Sequence, residues 1–466
     1  MFRLGEREMK QSDFNLTAIS PIDGRYRNSV EELSNYFSEF AYIKYRTEIE
    51  VRYLIALSKF GVIRKLKNNE QKILENIFKN FNLEDAYGNK EIAQEYWKPN
   101  KGTPTQSTKH DTKAVEYYLK EKLAKTSLSD ILEFIHFGLT SEDVNNLAYR
   151  LMLKESLSEV VVQTITILAN QILGESKKYK NLPLLARTHG QAAIPTTLGK
   201  EFLVFYERLK TEIRRLKSFR FGGKLNGAVG SYSALRFAYP KVNWQKFSKD
   251  FVTSLGLGWY QTTTQIAPYE DIIYFLQTIQ RINGIILDFD QDMWRYISDG
   301  WFIQTVKRKE VGSSTMPQKV NPILFENSEV NLIMANSLIE GMTNKLPISR
   351  LQRDLSGSTI SRNFGVALAY SLLAYKNSLS GLLRTRANEK QISEDLNSDW
   401  SILSEAVQIY LKKNGIKNGY EIIKDYTRGQ KMNKEMFYEM IDKLPIDKNQ
   451  KSELKKLSPE NYIGIV

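Results

Sequence analysis

The sequence predicts an all-α fold built around a bundle of long helices. Three observations carry that expectation: apolar residues recur every three or four positions over long tracts, strand-like alternation is scarce, and the breaks between tracts are rich in turn-forming residues. Over 271–298, Ile272, Leu276, Ile279, Ile282, Ile286, Phe289, Met293 and Ile297 form one apolar stripe. At about 1.5 Å per residue such a helix is longer than roughly 35 Å. Similar stripes run through 145–178, 198–220, 322–345 and 358–384. Between them lie "SPIDGRY", "ARTHGQAAIPTT", "GGKLNGAVGSYS" and "KEVGSSTMPQKVNP" (309–322), which read as loops at helix ends. Changes of character near Asp130 and Thr385 divide the chain into an N-terminal helical domain (1–130), a central long-helix bundle carrying the 309–322 loop (131–384) and a C-terminal helical domain (385–466). Helices this long exceed what one chain's outer domains cover, so neighbouring subunits are expected to bury their stripes.

Length and composition narrow the function. The chain has 466 residues, enough for two or three domains and a sizeable core; 42% are hydrophobic and 26% charged, as in soluble globular proteins. The start, "MFRLGEREMKQSDFN", is charged and lacks the apolar stretch of a signal peptide, so a cytoplasmic location is expected. Apolar tracts such as "VVVQTITILANQIL" are interrupted by Gln, Thr and Asn, and no membrane span is expected. The absence of cysteine excludes disulfides, thiolate metal sites and cysteine nucleophiles. The net charge is +13, but lysines are scattered among acids and basic clusters are short; this reads as a solvated surface favourable to an anionic small substrate, with no nucleic-acid site.

The three histidines can be weighed one by one. His136, in "LEFIHFGLTSED", sits in an apolar helical setting and reads as a buried, hydrogen-bonded packing residue. His189, in "LLARTHGQAA", falls where the helical pattern ends and Gly190 follows; a cap or loop histidine and a proton-exchanging group facing a cleft are both open readings. His110 precedes Asp111, whose carboxylate suits a helix start, and Lys109 makes the segment positive; a surface capping segment and an anion site both fit. In the 309–322 loop, Asn321 and Pro322 make a helix start, so Ser313 and Ser314 precede a positive helix end, with Gly312 permitting an unusual backbone and Lys319 adding charge. Such a loop can surround a carboxylate or stabilise a serine alkoxide, although "GSS" alone reads as an ordinary loop. Metal-ligand spacing, Walker loops and dinucleotide glycine motifs are absent from the sequence, which leaves proton-transfer chemistry by side chains without a cofactor.

Taken whole, "GSSTMPQKVNP" resembles the signature loop of the fumarase/aspartase superfamily, whose members split C–N or C–O bonds and release fumarate. In order along nearly the full chain, "LTAISPIDGRY", "KHDTKAVEYYLKEKL", "FIHFGLTSEDVNN", "LPLLARTHGQAAIPTTLGKE", "GKLNGAVGSY", "SRLQRDLSGSTISRN" and "SPENYIG" resemble the adenylosuccinate lyase family of the longer bacterial type. The resemblance implies a homotetramer whose central bundles join into one shared core, with active sites assembled from three subunits and neither cofactor nor metal. It implies purine nucleotide substrates: adenylosuccinate, giving AMP and fumarate, and succinylaminoimidazole carboxamide ribotide, giving the carboxamide ribotide and fumarate.

The same resemblance assigns residues. It makes Ser313 the general base, its alkoxide favoured by loop amides and Lys319, and His189 the general acid on the departing nitrogen; the reversed assignment, with His189 as base, stays open. A serine serves as base only in a site that desolvates and stabilises its anion, as when a mobile loop closes. Arg25 and Tyr26, with Arg353, Ser358 and Arg362, match positions that hold the nucleotide and its phosphate, for which guanidinium forks are suited. Lys109, His110, Asp111, Thr140, Ser141, Gln265, Ser314, Lys319, Asn321 and Asn327 match substrate-pocket positions. Three positions depart from the family pattern: Gln318 where His is frequent, Lys109 where Asn precedes His-Asp, and Ala192 where Pro follows Gly-Gln. None removes a proton-transfer group. Gln318 creates the "MPQK" of argininosuccinate lyase, the competing enzyme, while a non-catalytic bundle is the competing class.

Overall fold

A computed structural model describes residues 11–93, 110–305, 315, 316 and 318–465. Helices α1 (Glu39–Lys59) and α2 (Asp111–Leu123) precede the long apolar stripes, which are helical: α3 (Ser141–Lys178), α4 (Leu198–Ser218), α5 (Glu270–Ser298), α6 (Ile323–Lys345), and α7 (Ser356–Ser361) with α8 (Phe364–Leu383). Helix α3 passes through a π-helical turn at Leu157–Val161 without ending. It is long and apolar enough by composition to cross a membrane, contrary to the expectation from its Gln, Thr and Asn breaks. Its buried Asp143, Asn145, Asn146 and Arg150 are all hydrogen-bonded within the protein, as in the core helix of a folded domain.

Two segments differ from the sequence expectation. The stripe over 358–384 is two helices, broken at Arg362 and Asn363, where the Asn363 N–H bonds the Ile360 carbonyl at 3.0 Å. Arg362 is held there by Glu39 and Asp111, and α8 restarts tightly packed: a Cβ on Gly365 would lie 2.3 Å from Phe37 Cβ. The segment "PLLARTHGQAAIPTT" is an antiparallel hairpin, β1 (Pro183–Thr188) and β2 (Gln191–Thr197). A register shift between Leu185 and Arg187 and the consecutive buried Leu184 and Leu185 hide the two-residue period that would have announced it. The remaining strands among the described residues are short pairs, β3 (Gly222–Gly223) with β4 (Gly258–Trp259) and β5 (Phe302–Gln304) with β6 (Thr385–Ala387).

The chain forms two compact units. The first comprises 1–164, 213–283 and 331–373. Here Tyr53 of α1 meets Phe247 and Phe251 edge-on at 5.7 and 6.0 Å. Arg150 of α3 forks onto Asp271 of α5 at 3.0 and 3.1 Å, and Asn283 bridges α5 to Asn336 of α6 and Ser371 of α8. The second unit comprises 165–212, 284–330 and 374–466. Its C-terminal helices bury Trp400, Leu403, Val407, Phe437, Met440 and Ile441 in one cluster with Leu185 of the hairpin. In the same unit Phe289 packs between Phe202 and Phe325, and α8 approaches α6 closely at Gly381, where a Cβ would stand 2.8 Å from the Phe325 ring.

Candidate active site

In the first unit a guanidinium is the centre of a polar cluster. Arg353 lies between Leu351, whose φ is +51°, and the start of α7. Its Nη1 donates to Ser141 Oγ at 3.3 Å and Gln265 Oε1 at 3.1 Å; its Nη2 donates to Ser358 Oγ at 3.2 Å and stands 3.3 Å from Glu142 Oε2. Burial pushes the Glu142 carboxyl up against the opposing pull of Arg353. Thr140 precedes α3, and its N–H donates to Asp143 Oδ2 at 2.9 Å, so Ser141 projects from the first helical turn.

A second guanidinium cluster lies in the same unit. Arg362 donates to Glu39 Oε1 at 2.6 Å and to Asp111 Oδ2 at 3.0 Å, and Arg46 reaches the same Asp111 oxygen at 3.4 Å. Burial would raise the Asp111 carboxyl, but Arg46, Lys90 and Arg362 together hold it below the ordinary carboxylate range. The expected capping role therefore passes to His110: its Nδ1 accepts the Lys113 N–H at 3.3 Å at the start of α2, while Asp111 is engaged by arginines. Arg25 lies over the Tyr26 ring at 5.9 Å.

In the second unit, His189 is not at a helix end. It and Gly190 form the two-residue turn of the β1–β2 hairpin, with φ of +52° and +75°, the pattern of a primed hairpin turn, and the ring is exposed. Lys319 is exposed beside a short turn closed by its N–H on the Met316 carbonyl, and Gln304 Nε2 holds the Val320 carbonyl at 3.0 Å. Asn321 is half-buried just before α6, and Asn327 Oδ1 accepts from Asn377 Nδ2 of α8 at 2.6 Å. Lys109, Ser313 and Ser314 lie outside the described residues.

Thus Ser141, Gln265, Ser358 and Arg353 converge, and Asp111 meets Arg362, through contacts spanning up to 251 residues of sequence. Sequence reasoning did not single out Glu39, Arg46 and Glu142, which contact these residues. A usable signal was present in α1 and α3, where Arg46, Asp143 and Arg150 interrupt buried helical faces. His136 is hydrogen-bonded as expected, its Nδ1 2.5 Å from Glu50 Oε1 and its N–H donating to Glu50 Oε2, but it is half-buried in a turn at φ +57° and not buried in a helix.

The architecture is shared with known structures. Beta-carboxy-cis,cis-muconate cycloisomerase of Acinetobacter calcoaceticus matches with a TM-score of 0.70 at 16% identity, over 94% of this chain and 97% of that one. A fumarate lyase of Mesorhizobium matches with a TM-score of 0.70 at 15% identity, over 93% and 95%. At such identities the likeness establishes the fold. Residues 24–336 match the family described as "Lyase", which places the protein among the lyases. Residues 349–463 match "Adenylosuccinate lyase C-terminal". The adenylosuccinate lyase of Buchnera aphidicola from Schizaphis graminum is 46% identical over 454 residues, covering 97% of each chain. Those of Haemophilus influenzae and Escherichia coli K12 are 44% and 42% identical, covering 96% and 97% of this chain and 97% of each relative. The chain belongs to the adenylosuccinate lyase family.

Proposed function

We propose that the protein releases fumarate by β-elimination from adenylosuccinate, leaving AMP, and from succinylaminoimidazole carboxamide ribotide, leaving the carboxamide ribotide. The base removes a proton from the carbon next to a carboxylate, giving a dianionic, aci-carboxylate-like intermediate. The C–N bond then breaks and its electron pair goes to the departing nitrogen, which takes a proton. Ser313 is the base and His189 the acid in this reading, with Lys319 and loop amides stabilising the charge that develops.

The observation that carries the reading is the Arg353 fork, held by Ser141, Gln265 and Ser358: Arg353 and Ser358 match the family's nucleotide-holding positions, Ser141 and Gln265 its substrate-pocket positions, and a planar guanidinium suits a phosphate or carboxylate. His189 suits an acid because a hairpin turn presents its ring to solvent on a short, fixed stem.

The functional unit is a homotetramer acting in the cytoplasm on small purine nucleotides, without metal or cofactor. Helix α6 supports the assembly. Phe325, Leu332, Ala335, Ile339 and Met342 are buried on one side, while Ile323, Val330, Ile333 and Met334 form an exposed apolar row on the other. A helix that is apolar on both sides is stable where both are covered.

Ultraviolet absorbance during incubation with adenylosuccinate and chelator tests the activity. Loss of the succinyl-purine signal with wild type and not with Ser313→Ala is expected. Turnover of argininosuccinate instead would replace the substrate, and equal turnover by Ser313→Ala would remove that serine as base.

A further inference from the structure

We infer that the buried pair Asp143–Lys224 is a positioning element of the proposed substrate site, tying the helix start that carries Thr140 and Ser141 to the loop that orients Gln265 and Arg353. The inference rests on the functional reading above and deepens it. Neither side chain has any exposed area, and Asp143 Oδ1 lies 2.9 Å from Lys224 Nζ. The carboxylate works in two directions. Oδ1 accepts the Asn226 N–H at 3.0 Å; Oδ2 accepts the Thr140 N–H at 2.9 Å and the Gly227 N–H at 3.1 Å.

From the loop the connection runs on to the guanidinium. Lys224 Nζ donates to the Gly227 carbonyl at 3.0 Å, and Asn226 Nδ2 donates to Thr263 Oγ1 at 2.8 Å. The Ala228 carbonyl accepts from Gln265 Nε2 at 2.8 Å, which turns Gln265 Oε1 toward Arg353 Nη1 at 3.1 Å. The loop's path needs glycine: Gly227 has φ +83°, and a Cβ on Gly230 (φ +76°) would meet the Thr263 carbonyl oxygen at 2.1 Å. All the backbone groups around Asp143 are donors, so an amide there would set its own N–H against one of the two arms. Lys224 balances the charge that this double acceptor requires, since a buried carboxylate without a cation is costly.

A purely structural pair makes a different prediction, because buried ion pairs can be replaced by neutral residues without loss of fold. The deciding protein is the Asp143→Asn/Lys224→Met double variant, which removes both charges together. Circular dichroism and sedimentation establish its fold and assembly, calorimetry its affinity for AMP, and steady-state rates its KM and kcat for adenylosuccinate. The expected result is a folded protein with AMP affinity weakened and KM raised by about tenfold or more, and kcat changed much less. A folded double variant with wild-type KM and AMP affinity overturns the inference. Should the double variant not fold, Thr263→Val, which cuts the loop's side-chain tether without touching either charge, decides: a raised KM supports loop positioning and an unchanged KM overturns it. Wild type that neither binds AMP nor consumes adenylosuccinate sinks the functional reading itself, a result distinct from either of these.

Discussion

Arg353 shows how much one residue's chemistry depends on shape. Its two terminal nitrogens reach four side chains, three neutral oxygens and the Glu142 carboxylate. A lysine keeps the charge but offers one compact ammonium that cannot span this set, and it would leave the nearly buried Glu142 poorly compensated. Arg353→Lys is therefore expected to raise KM for adenylosuccinate by roughly 10–100-fold, with a smaller effect on kcat, since hydrogen bonds to charged groups are the stronger kind. Steady-state kinetics check this, and an unchanged KM would detach Arg353 from substrate. His136 makes a prediction in pH. Burial by itself would lower its pKa, but Glu50 outweighs burial and the folded value is raised. The folded state thus binds the proton more tightly than the unfolded chain. The resulting stability is fully present below the unfolded value of about 6.5 and is lost as pH rises through the higher folded value. The gap in Tm between wild type and His136→Gln should be widest near about pH 6 and narrow in alkali; a gap independent of pH would refute the coupling.

At the scale of elements, tightness of packing sets the costs. Gly381 of α8 faces the Phe325 ring of α6, and that ring is itself 1% exposed and packed on Phe289. Gly381→Ala raises helix propensity but inserts a methyl where no space exists, so overpacking should win by about 1–3 kcal/mol. A denaturant midpoint equal to or above that of wild type would show that the ring yields. The same distinction between local pattern and distant contact decides what was legible in the sequence. Helices α3 to α6 could be read directly, because burial imprints a period on consecutive residues: the stripe over 271–298 is α5 to within a residue. The β1–β2 hairpin could not, since its buried leucines are adjacent at a bulge. Nor could the break before α8, which is held by Glu39 from 323 residues away. The grouping of the candidate residues was legible through motif resemblance alone: Ser141, Gln265 and Arg353 are ordinary polar residues until the fold brings their side chains into contact. Asp143 and Lys224 carry no local sign of their pairing either.

At the scale of the molecule, the exposed apolar row on α6 and the placement of His189 on a hairpin tip both bear on assembly. If each site takes its histidine from one subunit and its 309–322 loop from another, two inactive proteins can repair each other. Consider an equal mixture of His189→Ala and Ser313→Ala chains exchanged to equilibrium. A site is intact when its histidine comes from a Ser313→Ala chain and its serine from a His189→Ala chain. For independent choices this happens in about one quarter of the sites of a symmetric oligomer with shared sites. Activity should therefore rise from near zero to about a quarter of wild type on mixing, with timing that follows subunit exchange. Were both residues supplied by one chain, every site would lack one of them and no mixing ratio could restore turnover. Exchange demonstrated by differential labelling, with no recovered activity, would place His189 and Ser313 on the same subunit at each site.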